Sequence, residues 1–191
     1  MFRNKRKHGE NTLPIAQAVT WVCDTAYDLW QILHPNKQDE ERGGNYIKEG
    51  ATGCVLRDEY GRPLGGQAKF YQRGMDALTM EAYACRDGML FAVKAGVQYL
   101  SMESDCHELT KLWYDRLLQR PIISPILTEM YELSLRFASF DLHFANRSCN
   151  RVAHQLARYA MMNQMAGEWQ SNFPSEVLGV LRDDCNHHNS V

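Results

Sequence analysis

Two carboxylates in this chain have types and surroundings that could support chemistry. Glu81 lies in MEAYACRDGMLFAVKAG, and Asp105 closes the following VQYLSMESD. An acid at the end of a strand, near a second acid on an adjacent helix, is a common way to hold a hard divalent cation. The elements that must position the pair are readable around them. Glu81, Cys85, Gly88, Ala92 and Ala95 recur at helical spacing and share one face. Four of the five are small, so that face can lie close against a sheet. Gly96 is the expected C′ glycine that ends the helix. From Val97 the pattern alternates: Leu100, Met102 and Ser104 point one way, and Tyr99, Ser101, Glu103 and Asp105 the other. The stretch therefore predicts helix, turn and buried strand, with Asp105 where the strand gives way to a second helix.

Both acids also have a purely structural reading. Glu81 would complement a helix dipole from the first turn. Asp105 with Glu108 matches a capping box, which is compatible with metal ligation because one carboxylate oxygen suffices for the cap. Glu103 shares the face of Asp105, either beside the site or simply exposed. A second group is cationic. Arg147, Arg151, His154 and Arg158 fall at i, i+4, i+7 and i+11, while Val152, Ala153, Leu156 and Ala160 form an apolar flank. Such a stripe can hold backbone phosphates or can be a solvated helix face; it also raises the local positive potential, which opposes metal binding. Trp113 and Tyr114 read as core or partly buried rings rather than base-stacking platforms. Cys185, His187 and His188 read as a polar tail and not as a zinc site.

At 191 residues the chain can bury a substantial core. The expected organisation is a helical extension over 1–35, a polar linker or remodelled first strand over 36–50, a main domain over 51–165 and a tail over 166–191. The net charge of −2 gives no overall attraction to nucleic acid, so any basic surface must be local. Six scattered cysteines without CxxC spacing read as reduced thiols of an intracellular protein, several of them core fillers. There is no apolar run long enough for a membrane span, and FRNKRKHGEN lacks the apolar core of a signal peptide. Its basic residues read as a solvated helix start or as a nuclear or phosphate-binding patch.

In chain order the expectations are a helix over 13–33, with Pro14 near its first turn, and a loop over 34–50. A hairpin follows, of strand 53–57, turn 58–61 and strand 62–72. After the central stretch come a helix over 105–118, a helix from Pro125 to about Arg136, a strand over 137–146 and a helix over 148–162. One short amphipathic turn or helix is expected around 177–181. This order means a mixed sheet covered by helices, an α/β fold.

The segments GCVLRDEYGRPLGG, MEAYACRDGMLFAVKAGVQYLSMESD and RSCNRVAHQLA resemble the plant RNase H-like domain at the C-terminal end of non-LTR retrotransposon polyproteins, over roughly Gly50 to Met162. The resemblance implies an RNase H-like fold: a five-stranded mixed sheet flanked by helices. It implies hydrolysis of the RNA strand of RNA–DNA hybrids by acids that hold two Mg²⁺ ions. Carried over, Glu81 is the helix acid and Asp105 the strand-end acid, both metal ligands. His154 stands where many relatives carry the last acid, and Arg147, Arg151 and Arg158 would lie along the nucleic acid. The family's first acid, on an opening central strand, has no legible counterpart; Asp39 and Glu49 are the available substitutes. Phe144 stands where the family has a histidine before its Arg-x-x-Asn motif. The expected partner is an RNA–DNA hybrid, with no membrane and no evident protein partner.

Overall fold

In a computed structural model of the chain, the described residues are 49–73, 76–115 and 123–187. The helix expected over 13–33, most of the 34–50 loop, Asp39 and His188 lie outside them. The hairpin is present as β1 (Gly50–Arg57) and β2 (Pro63–Tyr71). Its turn is an Asx turn. The Asp58 carboxylate accepts from the backbone N–H of Tyr60 and of Arg62, both at 2.9 Å, and Gly61 takes a φ of 76° that a side chain would resist.

The strand β1 is buried at every position because both of its faces are covered. Odd residues Ala51, Gly53 and Val55 face one helical layer; even residues Thr52, Cys54 and Leu56 face the other. The even side meets α1 (Ala77–Lys94). Asp76 caps this helix, its carboxylate accepting from the N–H of Thr79 at 3.1 Å. A Schellman turn ends it: Gly96 N–H bonds to Val93, Val97 N–H bonds to Ala92, and Gly96 has a φ of 76°. Glu81, Cys85, Gly88 and Ala92 are buried as the periodicity predicted, whereas Ala95 is the exposed C-cap.

After the turn comes β3 (Tyr99–Ser104), whose residues alternate between half-buried and buried as expected. Then follow α2 (His107–Tyr114), α3 (Ser124–Ser134) and β4 (Ser139–Phe144). A 3₁₀ turn (Arg147–Asn150) leads into α4 (Arg151–Asn163). Two elements extend beyond the expected pattern: the short strand β5 (Gly167–Trp169) and α5 (Ser175–His187), where only a short turn or helix had been legible. β5 pairs antiparallel with β2, and α5 packs on α4.

The strands form two ladders. One is antiparallel in the order β1-β2-β5; the other is the parallel pair β3-β4. Among the described residues no strand joins β1 to β3; the segment expected to hold a linker or remodelled first strand lies outside them. Two apolar clusters hold the layers. One lies between α1, α2, α3, the β3–β4 pair and the even side of β1, and centres on Met89, Met102, Leu109, Met130 and Leu142. The other lies between the odd side of β1, β2, α4 and α5, and includes Val55, Leu156, Ala157, Phe173 and Val177. Seating α4 depends on Gly53, where a Cβ would stand 2.2 Å from the carbonyl oxygen of Ala153 and 2.6 Å from the backbone nitrogen of Ala157.

A polar network pins α1 to the hairpin. Asp87 is buried and accepts from Thr52 Oγ1 at 3.3 Å, from the Tyr71 hydroxyl and from Arg86 Nη2 at 2.8 Å, with Lys69 Nζ at 3.1 Å. Burial and the Asp87 charge push the Tyr71 phenol upward, so it stays a donor. Tyr71 stacks on Tyr83 at 5.5 Å, and Arg86 lies over the Tyr83 ring. Since Gly50 lies opposite Tyr71 and Thr52 bonds to Asp87, the start of β1 comes to the middle of α1.

Candidate functional site

The helix α1 and strand β3 run in opposite directions through a tight turn, so the N-terminal part of α1 returns to the C-terminal end of β3. This brings Glu81 and Asp105 to one pole of the molecule. The charge of Glu81 reaches Cys106, the residue after Asp105. Burial, with Glu81 and Cys85 adding to it against the N–H of Leu109, pushes the Cys106 thiol up to about 12. It is therefore a neutral thiol at physiological pH and no nucleophile.

The structure corrects two local expectations. Glu81 is not a first-turn acid: α1 begins at Ala77, its first turn holds no acid, and Glu81 is buried at 7% exposure. Asp105 is not the cap of the next helix. Cys106 takes that role, its Sγ accepting from Leu109 N–H at 3.4 Å, while Ser104 Oγ accepts from Cys106 N–H at 3.1 Å. The capping frame is thus shifted by one residue from the Asp105/Glu108 box. Cys54, Cys85, Cys106 and Cys149 are free thiols. Cys54 and Cys85 are core fillers as expected, whereas Cys149 is exposed.

The parallel register places Ser104 beside Phe144 and Glu103 beside His143, so the end of β4 joins the same pole. The chain then passes through the 3₁₀ turn into α4. Arg147, Arg151 and Arg158 are exposed, and His154 is half-buried in the first turns of α4. Arg151, His154 and Arg158 follow one helical face; Arg147 stands before it, on the 3₁₀ turn. Trp113 packs edge-on against Phe140 at 5.4 Å. Tyr114 is 63% exposed, and its hydroxyl donates to the carbonyl of Leu142 at 2.8 Å, covering part of the outer edge of β4.

Whether these side chains fit the metal expected from the resemblance is decided by their grouping. Among the described residues no three His, Cys, Asp or Glu side chains come together as a metal-holding group. Glu49, described just ahead of β1, does not complete one. Glu81 and Asp105 share a pole but do not by themselves make a two-metal site.

The family description "reverse transcriptase-like" matches residues 43–160, more than half of the chain. The chain belongs to this reverse-transcriptase-like family. Three solved structures share its fold at low sequence identity. RNase H1 from the halophilic archaeon Halobacterium salinarum NRC-1 superposes with a TM-score of 0.61 at 16% identity, covering 77% of this chain and 98% of the other. The N-terminal RNase H domain of a Mycobacterium tuberculosis protein, solved as a fusion with maltose-binding protein, gives 0.60 at 16%, covering 78% and 96%. LC9-RNase H1, a type 1 RNase H with the type 2 active-site motif, gives 0.59 at 12%, covering 93% and 87%. No curated protein matches the sequence significantly. Family and fold together make this an RNase H-like domain. No helix among the described residues is long and apolar enough to cross a membrane.

Two features lay beyond the sequence reading. The Asp87 network joins residues from three elements, and only the alternation of Lys69 and Tyr71 on one face of β2 hinted at it. The contact between His107 and Phe144, rings 5.5 Å apart and nearly perpendicular, pairs residues from α2 and β4 that nothing in the local pattern links.

Proposed function

We propose that this domain binds RNA–DNA hybrids across the pole formed by the ends of β3 and β4 and the start of α4, and that its hydrolytic site is incomplete. The observation that supports the reading is the electrostatic reach of Glu81 to Cys106, the neighbour of Asp105, on a fold and family of RNase H type that also exposes Arg147 and Arg151. Arginines at such an edge supply sequence-independent contacts to phosphates. A hybrid would be read by groove shape and 2′-hydroxyls rather than by sequence. In this reading Glu81 and Asp105 are the ligands left for Mg²⁺, which would supply Lewis-acid stabilisation at the scissile phosphate. In the same reading His154 would pass a proton rather than act as a hard ligand. The motif resemblance further supports an origin in a plant non-LTR retrotransposon polyprotein.

A second reading is a binding module that does not cleave, because His154 stands where the resemblance expects the last acid and no first acid is legible in the sequence. One experiment separates the two. Purified protein is given a labelled hybrid with Mg²⁺ or Mn²⁺, alongside Asp105→Asn, Glu81→Gln, Asp39→Asn and Glu49→Gln. Cleavage lost in the first two variants supports a working site, and loss in one of the last two identifies its further acid. Hybrid binding without cleavage supports the module. A folded protein that neither binds nor cleaves refutes both.

A further inference from the structure

We propose that Phe144, braced by His107, is a stacking platform for one unpaired nucleobase, so that the domain prefers a hybrid carrying a single-stranded nucleotide beside the duplex. The inference rests on the hybrid-binding reading above and names the form of nucleic acid that site takes. Phe144 ends β4 at the same pole as Asp105 and is 53% exposed, a large apolar surface for a residue at the close of a strand. It is held in place: its ring meets His107 at 5.5 Å and an interplanar angle of 80°. In a perpendicular pair each ring can have at most one face taken by the other, so at least one face of Phe144 is left uncovered by His107.

The setting selects the occupant. Its partner in the ladder is Ser104, and the residues that follow it along the chain are Ala145, Asn146 and the exposed Arg147, which offer a cation and no large apolar side chain. An exposed ring three residues before an exposed arginine suits a base, whose π-face stacks and whose phosphate meets the arginine. Bases inside a hybrid duplex are already stacked on their neighbours and cannot reach a ring outside the groove. The base that reaches Phe144 is therefore an unpaired one, at an overhang, a junction or a frayed end.

The test compares a blunt RNA–DNA hybrid with the same hybrid carrying a short single-stranded overhang whose first unpaired base is 2-aminopurine. The wild type is expected to bind the overhang form about tenfold more tightly, the effect of stacking one base, with quenching of the 2-aminopurine fluorescence. Phe144→Ala and Phe144→Leu should lower this affinity to that of the blunt form and abolish the quenching. Phe144→Trp should keep both, and blunt affinity should be unchanged throughout. Leucine preserves apolar bulk, so its loss of preference isolates stacking from packing. A wild type that binds both forms equally, or a Phe144→Leu protein that retains the preference, overturns this proposal alone. A folded wild type that binds neither form overturns the hybrid-binding reading together with it.

Discussion

Replacing Gly53 by alanine should unseat α4, and the size of the effect follows from two distances. The added Cβ would lie 2.2 Å from the Ala153 carbonyl oxygen and 2.6 Å from the Ala157 nitrogen. Ordinary Cβ contacts begin near 3.4 Å, so the helix and strand must separate by at least 1.2 Å (3.4 − 2.2). Neither opposing atom belongs to a flexible side chain. They are the acceptor and donor of one helical i→i+4 position, so the methyl group presses on the backbone itself. Retreat of α4 would also loosen Val152, Leu156, Ala157 and Ala160, all nearly inaccessible to solvent, from the second apolar cluster.

Overpacking of a close-packed core costs about 1–3 kcal/mol, and backbone obstruction places this site at the upper end, about 3 kcal/mol. Urea unfolding followed by circular dichroism should then show a midpoint lower by about 1.5 M for an m-value of about 2 kcal/mol/M. Gly179→Ala is the control. That glycine is exposed within α5 with no atom near its would-be Cβ, so alanine should be neutral or stabilising by about 0.4–1 kcal/mol. His154 and Arg151 ride on α4, so a folded Gly53→Ala protein should also bind hybrid more weakly. A midpoint within about 0.3 M of the wild type would refute the claim that α4 is seated on bare strand backbone.

Three further outcomes follow from the same structure. Asp87→Asn keeps the side-chain volume but leaves Arg86 and Lys69 facing a neutral amide; a loss of about 3 kcal/mol is expected, the low end for a broken buried pair because both cations retain some solvent. Tyr71→Phe, which removes one donor from Asp87, should lose only about 1 kcal/mol, and equal effects of the two variants would contradict the network. Glu168 is bonded by Lys94 and then by Gln67, and these hold its carboxyl below the usual range. Its stabilising contribution is therefore full above its unfolded value near 4.5 and disappears as pH falls through the lower folded value. Glu168→Gln should be less stable than wild type by under about 1 kcal/mol at pH 6 and converge with it at low pH or in 1 M salt; a pH-independent gap would count against the pairing. Gly96→Ala meets no atom within 4 Å, so its cost should come from the φ of 76° alone, about 1–2 kcal/mol in thermal or urea unfolding.

The parts of the fold that were legible are those whose determinants are local. The face of α1, the Gly96 turn and the alternation of β3 are each written within a few residues, and together they bring Glu81 and Asp105 to one pole. The cap of α2 was misread by one position because carboxylates are the usual N-caps, while here the thiol of Cys106 accepts the bond. β5 was not legible at all. Three residues carry no periodicity, and the strand exists through its pairing with Gly66, Gln67 and Ala68, far away in the chain. The obligation for glycine at position 53 is equally non-local, since it arises from Ala153 and Ala157.

The same distinction bears on the candidate site. Glu81 and Asp105 belong to one helix–turn–strand unit, so a single tight connection and the apolar contacts beneath it relate their positions. A third metal ligand has to arrive from another element. Among the described residues β1 pairs with β2 and β3 with β4, and the 36–48 segment expected to hold a linker or remodelled first strand lies outside them. His154 does come from another element, but its position depends on α4 resting on Gly53. Catalysis and binding therefore have different structural requirements in this molecule. Metal-dependent cleavage needs a non-local acid brought to Glu81 and Asp105. In the proposed reading, hybrid binding draws on Arg147 and Arg151, at an edge that β4 and α4 already form. Substitutions at Gly53 should damage binding through α4 while leaving the approach of Glu81 to Asp105 intact. Gly96→Ala, whose added methyl meets no atom, should lower stability with hybrid affinity unchanged; an affinity loss equal to that of Gly53→Ala would refute the dependence of binding on α4.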